Sequence, residues 1–169
     1  PVYVSKEVVA TGTAHAIVAN AGCANACTGQ QGLDDAHKMA QIAADELGVN
    51  ADDVIVGSTG VIGVNLPMDK LEAGIKDAVA NLSADGSGNA GRAIITTDTH
   101  SKSVTCEFEL SGKTVRMGAI AKGSGMIRPN MATMLCYITT DIAIDQTLLQ
   151  KAVSGCVEKS FNMISVDGD

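Results

Sequence analysis

The sequence predicts a layered α/β domain of the mixed α+β kind, and three features carry that expectation. Long segments repeat their apolar residues at the helical period. Short apolar runs between them read as buried strands. One pair of strands is joined by a two-residue turn at Ser111-Gly112. Helices and strands mix without strict alternation, which argues against a simple doubly wound sheet. The chain has 169 residues, enough for a real core. Only 2% of them are aromatic while 46% are hydrophobic, so Ala, Val, Ile, Leu and Met must build that core.

Pro1 leads into Val2-Tyr3-Val4, an apolar run that reads as a strand. Residues 13–20 read as a buried strand around Ala16, Ile17 and Val18, and residues 20–32 as a loop of small residues. Residues 33–47 form an amphipathic helix on the face Leu33, Ala36, Met39, Ala40, Ala43 and Leu47. Asp34 and Asp35 are expected in its first turn, and Gly48 at its end. Val54-Ile-Val56 is a short strand that runs into the loop Gly57-Ser-Thr-Gly-Val-Ile-Gly63. Residues 68–82 form a second helix after Pro67, with Leu71, Ile75, Val79 and Leu82 on one face. Residues 83–91 read as a linker.

Residues 104–110 alternate, with Val104, Cys106, Phe108 and Leu110 facing one way. The turn at Ser111-Gly112 then leads into residues 113–121. A further strand is expected over 133–141. A third helix follows an Asp145 cap, with Leu148, Leu149, Ala152, Val153, Cys156 and Val157 on its face.

The net charge of −7 argues against a nucleic-acid partner, which would require a basic face. Five cysteines with no framework spacing fit a reducing compartment. No signal peptide and no bilayer-length apolar run is seen, so no membrane partner and a cytoplasmic location are expected. Both ends look truncated. Cys23-x-x-x-Cys27 with His37 lacks a second ligand pair, so no metal site is expected. Gly57-Ser58-Thr59-Gly60 does not have the spacing of a serine-hydrolase elbow, no Walker motif occurs, and Gly57, Gly60 and Gly63 match a dinucleotide fingerprint only loosely. His15, His37 and His100 have no obvious Cys or Ser partner.

The informative stretch is Lys122-Gly-Ser-Gly-Met-Ile-Arg-Pro-Asn-Met-Ala-Thr-Met-Leu135. Read from its residues alone, it is a Gly loop, a Pro turn and a strand. Yet Ala132 abuts Thr133 where the loop becomes that strand. A threonine hydroxyl is a poor nucleophile without a base. If the bond before Thr133 is cut, the residue gains an α-amine with an unperturbed pKa of about 7.7–8.0. That amine can accept the hydroxyl proton near neutral pH.

This stretch resembles the self-cleavage region of the ornithine acetyltransferase family, the bifunctional glutamate N-acetyltransferases. Three further stretches match in the same order. Asn20-Ala-Gly-Cys-Ala-Asn-Ala-Cys-Thr-Gly29 is similar to the family's Asn- and Gly-rich loop, with Ala21 and Cys23 where the family usually has Ser and Asn. Ser58-Thr-Gly-Val-Ile-Gly63 resembles its oxyanion loop, and Thr96-Thr-Asp-Thr99 a segment that contacts substrate. The similarity continues through Ile164-Ser-Val-Asp-Gly-Asp169.

The resemblance implies the layered helix–sheet sandwich of the ornithine acetyltransferase and self-processing aminopeptidase superfamily. It implies that 1–169 is a fragment of one larger domain, with 1–132 the end of an α chain and 133–169 the start of a β chain after cleavage between Ala132 and Thr133. The implied reaction is a step of arginine biosynthesis, transfer of acetyl from N2-acetylornithine to glutamate through acetyl-Thr133. Thr133 is then the nucleophile and its α-amine the base; Thr59 and Gly60 stabilise the oxyanion; Thr96 and Lys122 bind substrate. Without the resemblance, Thr96 reads as a helix cap and Lys122 as a surface lysine, and Thr97 competes with Thr96 for its role. The implied assembly is a heterotetramer of two α and two β chains. No metal or organic cofactor is implied, although some members of the family accept acetyl-CoA as a substrate. Two other readings are a self-processing amidase or aminopeptidase with water as acceptor, and a binding module whose Gly loops cradle a phosphate.

Overall fold

The computed structural model describes residues 1–127 and 133–166. They fall into two compact units, Pro1–Gly86 and Ser87–Asp169. The mixture of helices with parallel and antiparallel strands is the α/β class the sequence predicts.

The first unit is built on two parallel strands, β1 (Ala16–Cys23) and β2 (Val54–Val61), paired from Ala16↔Val54 to Cys23↔Val61. Parallel neighbours need a crossover, and α2 (Gly29–Leu47) supplies it. Its apolar stripe is covered: Ala36, Met39, Ala40 and Ala43 pack with Val54, Val56, Leu66 and Ile75, and both Met39 and Val54 are fully buried. Gly48 ends α2 at φ 70°, a left-handed conformation that glycine adopts without a Cβ penalty. The helix α3 spans Met68–Ala80 and contributes the buried Ile75, while Leu82, expected on its face, lies past its end and is exposed.

Three expectations change here. Val2-Tyr3-Val4 opens the helix α1 (Val2–Ala10) and not a strand. The apolar residues that are buried are Val4 and Val8, one helical turn apart, whereas Val2 and Tyr3 are exposed. This helix also covers the edge of β2: the Ser5 hydroxyl donates to the Val56 carbonyl at 2.8 Å and accepts from the Val56 N–H at 3.0 Å. Tertiary pairing thus overrides the local β preference of the run. The helix α2 starts at Gly29, so Asp34 and Asp35 fall beyond its first turn. Their carboxylates accept from Gln30 and Gln31 at 2.9 and 2.8 Å across one helical turn. Finally, β1 and β2 extend further than their apolar runs, because residues 57–61 pair with residues 19–23 by backbone and not by side-chain character.

The second unit is an antiparallel sheet in the order β3 (Lys102–Leu110), β4 (Lys113–Lys122), β5 (Leu135–Thr140). Ser111 and Gly112 both have positive φ, at 52° and 74°, as a type I′ hairpin turn requires. Residues read as a linker carry the short helix α4 (Ser87–Ala93), which packs on β4 with the buried Gly91 against Ile120: a Cβ at Gly91 would lie 3.5 Å from the Ile120 side chain. Its small residues are what let it approach the sheet closely. Asp145 caps α5 (Gln146–Glu158) by accepting from the Leu148 N–H at 3.0 Å, as expected. The apolar face of α5 is not covered among the described residues, nor is the β3 face that carries Val104, Phe108 and Leu110. The strand expected from Thr133 begins at Leu135 and is only half-buried at best. All five cysteines are free thiols. Among the described residues, no helix is long and apolar enough to cross a membrane.

Candidate active site

Of the residues singled out in the sequence, Thr59 and Gly60 belong to the first unit, and Thr96, Lys122 and Thr133 to the second. Ala132, the other side of the expected cleavage junction, lies outside the described residues.

In the second unit the sheet register does the positioning. Lys122, the last residue of β4, pairs with Leu135, the first of β5, so Thr133 arrives two residues ahead of that pair. The Lys122 ammonium donates to the Thr133 carbonyl at 3.3 Å. The Thr133 hydroxyl donates to the Met126 carbonyl at 2.7 Å. Met126 itself has φ 51°, a left-handed conformation rare for a residue with a Cβ, and it turns the loop so that its carbonyl meets that hydroxyl.

Lys122 is not a surface lysine, since only 5% of it is exposed. Burial pushes its ammonium below the usual lysine pKa; the Asp98 carboxylate opposes that shift and the Lys102 cation adds to it. A cation this desolvated is a stronger electrostatic partner for an incoming anion than one in water.

Asp98 lies outside the residues that the sequence singles out, although it stands inside Thr96-Thr-Asp-Thr99 with Lys102 four residues on. Its side chain is fully buried. One carboxylate oxygen accepts both the Lys102 ammonium and the Gly123 N–H, the latter at 2.9 Å. Burial alone would raise its pKa. The Lys102 ammonium, the Gly123 N–H and, more weakly, the Thr96 N–H outweigh burial and hold the carboxyl below the usual carboxylate range. Thr96 and Thr97 are both exposed in a bend beyond the end of α4, so neither caps that helix.

In the first unit, Thr59 is not a solvated turn residue. It lies within β2, is 4% exposed and pairs with Ala21. Gly60 follows at φ 131° opposite Gly22, and a Cβ there would fall 2.3 Å from the Gly22 carbonyl carbon. Only glycine allows this approach of two backbones. The facing loop is locked by side chains. The Ser58 hydroxyl accepts from the Asn25 N–H at 2.8 Å, and the buried Asn25 amide donates to the Gly32 carbonyl at 2.6 Å. Rigid, water-poor backbone of this kind is what an oxyanion donor requires. Cys23 donates weakly to the Val64 carbonyl, Cys27 is exposed, and among the described residues no cluster of His, Cys, Asp and Glu could hold a metal ion.

Comparison with known proteins gives a consistent picture. The ArgJ family model matches residues 1–169. The arginine biosynthesis bifunctional protein ArgJ of Symbiobacterium thermophilum is 53% identical over the whole chain, which spans 42% of that relative. The glutamate N-acetyltransferase of Methanothermobacter thermautotrophicus is 51% identical, again over the whole chain and 43% of the relative. Among solved structures, the arginine biosynthesis bifunctional protein ArgJ of Bacillus halodurans matches with a TM-score of 0.71 at 44% identity, over 78% of this chain and 70% of that one. The ornithine acetyltransferase of Mycobacterium tuberculosis, complexed with ornithine, matches with a TM-score of 0.68 at 36% identity, over the same 78% and 70%. The chain thus spans about two fifths of the length of the curated relatives it matches.

Proposed function

The chain belongs to the ArgJ family, and on that premise we propose that it carries the nucleophile of an acetyltransferase that moves acetyl from N2-acetylornithine to glutamate. The single observation that supports this best is the buried Lys122 ammonium on the Thr133 backbone. It sets a desolvated cation beside the proposed nucleophile, where a substrate carboxylate would be held.

The proposed sequence begins with scission. The Thr133 hydroxyl attacks the Ala132 carbonyl, the acyl group shifts from nitrogen to oxygen, and water hydrolyses the resulting ester. Residues 1–132 then end one chain and 133–169 begin the next, and two such pairs are the proposed assembly. The freed α-amine next serves as base. It takes the Thr133 proton as the hydroxyl attacks the acetyl carbonyl of N-acetylornithine. The tetrahedral oxyanion is held by Thr59 and Gly60. The C–N bond breaks, ornithine leaves with the proton, and acetyl remains as an ester on Thr133. The glutamate amine attacks that ester, N-acetylglutamate leaves, and the Thr133 oxygen regains its proton. Lys122 and Thr96 hold substrate throughout. Acetyl-CoA is proposed as a second donor, to be tested in the same assay.

The test is formation of N-acetylglutamate from N-acetylornithine and glutamate by the full-length protein and by Thr133→Ala. Loss of a nucleophile costs far more than loss of a binding contact, so Thr133→Ala should lose more than about a thousandfold and remain one uncut chain. Release of free acetate without dependence on glutamate would instead mark the self-processing amidase reading.

A further inference from the structure

We infer that Asp98 is a positioning residue for Lys122: its buried carboxylate ties the Gly123 amide and the Lys102 ammonium together, and so fixes the end of β4 from which Lys122 reaches Thr133. The inference rests on the reading of Lys122 as the cation that holds substrate.

The geometry carries it. Gly123 is the residue after Lys122, and its N–H donates to Asp98 at 2.9 Å. That bond joins the segment Thr96-Thr-Asp-Thr99 to the residue that follows β4, so the two stretches proposed to contact substrate share one anchor. A Cβ at Gly123 would lie 3.2 Å from Met134, so the chain is already tightly packed at this turn. The Asp98 side chain is fully buried, and its second oxygen, Oδ2, has no hydrogen-bond partner among the described residues. A buried acceptor left unpaired is costly and asks for a reason. The reason is charge. The carboxylate pairs with Lys102 and also acts on Lys122, where it opposes the effect of burial. A neutral residue of the same shape could hold the Gly123 N–H but could not help Lys122 keep its proton.

Among the described residues, the charged groups that act on Lys122 are Asp98 and Lys102 and, once the chain is cut, the Thr133 α-amine. They predict opposite responses to two substitutions. Asp98→Asn keeps an acceptor for Gly123 and removes the charge; Lys102→Met removes a cation that repels Lys122. The experiment uses full-length protein with isotopically labelled lysine, the Lys122 signal being assigned by its loss in Lys122→Arg. The Lys122 titration should move to lower pH in Asp98→Asn and to higher pH in Lys102→Met. In Asp98→Ala, which removes the tie to Gly123 together with the charge, the KM for N-acetylornithine should rise about tenfold, the loss of a well-placed charged contact. The kcat should change by less than about threefold, the pattern of a lost binding interaction. A Lys122 titration unmoved by Asp98→Asn together with a KM unmoved by Asp98→Ala overturns the inference. If Asp98→Asn does not fold, Asp98→Ser decides by both readouts: a lowered Lys122 titration with a raised KM supports the inference, and no change in either overturns it. If the wild-type protein does not turn over N-acetylornithine, the acetyltransferase reading fails, and the lysine titration alone still decides whether Asp98 governs Lys122.

Discussion

The two units bury different things. In the first, Ala, Val, Met, Ile and Leu are wrapped on a parallel pair of strands, and the buried Asp35 carboxylate is held by Gln31 within its own helix. Both units leave large apolar residues exposed, and in the second Lys122 and the side chain of Asp98 are buried. Apolar burial stabilises a fold, whereas burial of an ion costs free energy that its partners only partly return. The first unit is organised as a scaffold around its aliphatic side chains, whereas the second gathers Asp98, Lys102 and Lys122 at the end of β4 beside Thr133, which is better explained by chemistry than by stability. Thr59 and Gly60 fit the same division, because they stand on the well-packed strand and not on a loose loop.

Damage to the scaffold should have the largest effect. Met39 is fully buried in the first unit, so Met39→Ala should destabilise by about 2–5 kcal/mol, the usual cost of a large core cavity. In the second unit Val153 is 40% exposed, and Val153→Ser should stay within about 0.5 kcal/mol. Denaturant midpoints of the two variants check the pair, and equal losses would erase the distinction.

Thr59→Ala comes next. Loss of one oxyanion donor costs on the order of 10²–10³ in turnover, while affinity for N-acetylornithine should change much less. Single-turnover release of ornithine is the measurement, and a rate close to wild type would leave Thr59 with a structural role alone.

Lys122→Met should produce the smallest effect on turnover and the most informative one on stability. Affinity for N-acetylornithine should fall roughly tenfold or more with the loss of a charged partner. Stability at neutral pH should not fall, because removing a buried cation relieves desolvation. The sign in pH follows from the lowered Lys122 pKa. Above that lowered value the folded protein has lost the proton, while the unfolded chain holds it up to the ordinary lysine value of 10.5. The unfolded state therefore binds more protons in that window, and wild-type stability gains a contribution that grows as pH rises through it. Lys122→Met should lack that gain. Unfolding curves at a series of alkaline pH values compare the two proteins.

Local chemistry was legible in the sequence wherever a residue acts on its own turn of chain. Gly48 ends α2, Ser111-Gly112 makes the hairpin, and Asp145 caps α5, each for a reason confined to a few neighbouring residues. What could not be read depends on partners far along the chain. The helical start of the chain is decided by Val4, Val8 and Ser5 meeting β2, some fifty residues away. The strand positions of Thr59 and Gly60 follow from pairing with residues 21 and 22, which no apolar pattern marks. The face of α5 shows the opposite case: its periodicity is plain, but periodicity does not say what covers a face. For the site, Lys122 and Thr133 were singled out by their resemblance to a family motif, and their contact follows from the β4–β5 register. Asp98 stood in view inside the same motif, yet only its burial and its bond to Gly123 give it a role.

The central claim is that Thr133 becomes the acetyl carrier. Full-length protein mixed with N-acetylornithine in the absence of glutamate, quenched early and digested, can be read by mass spectrometry. The expected product is a peptide that begins at Thr133 and carries one acetyl group on its hydroxyl, discharged when glutamate is added. An uncut chain, or acetyl found on any other residue while ornithine is released, would contradict it.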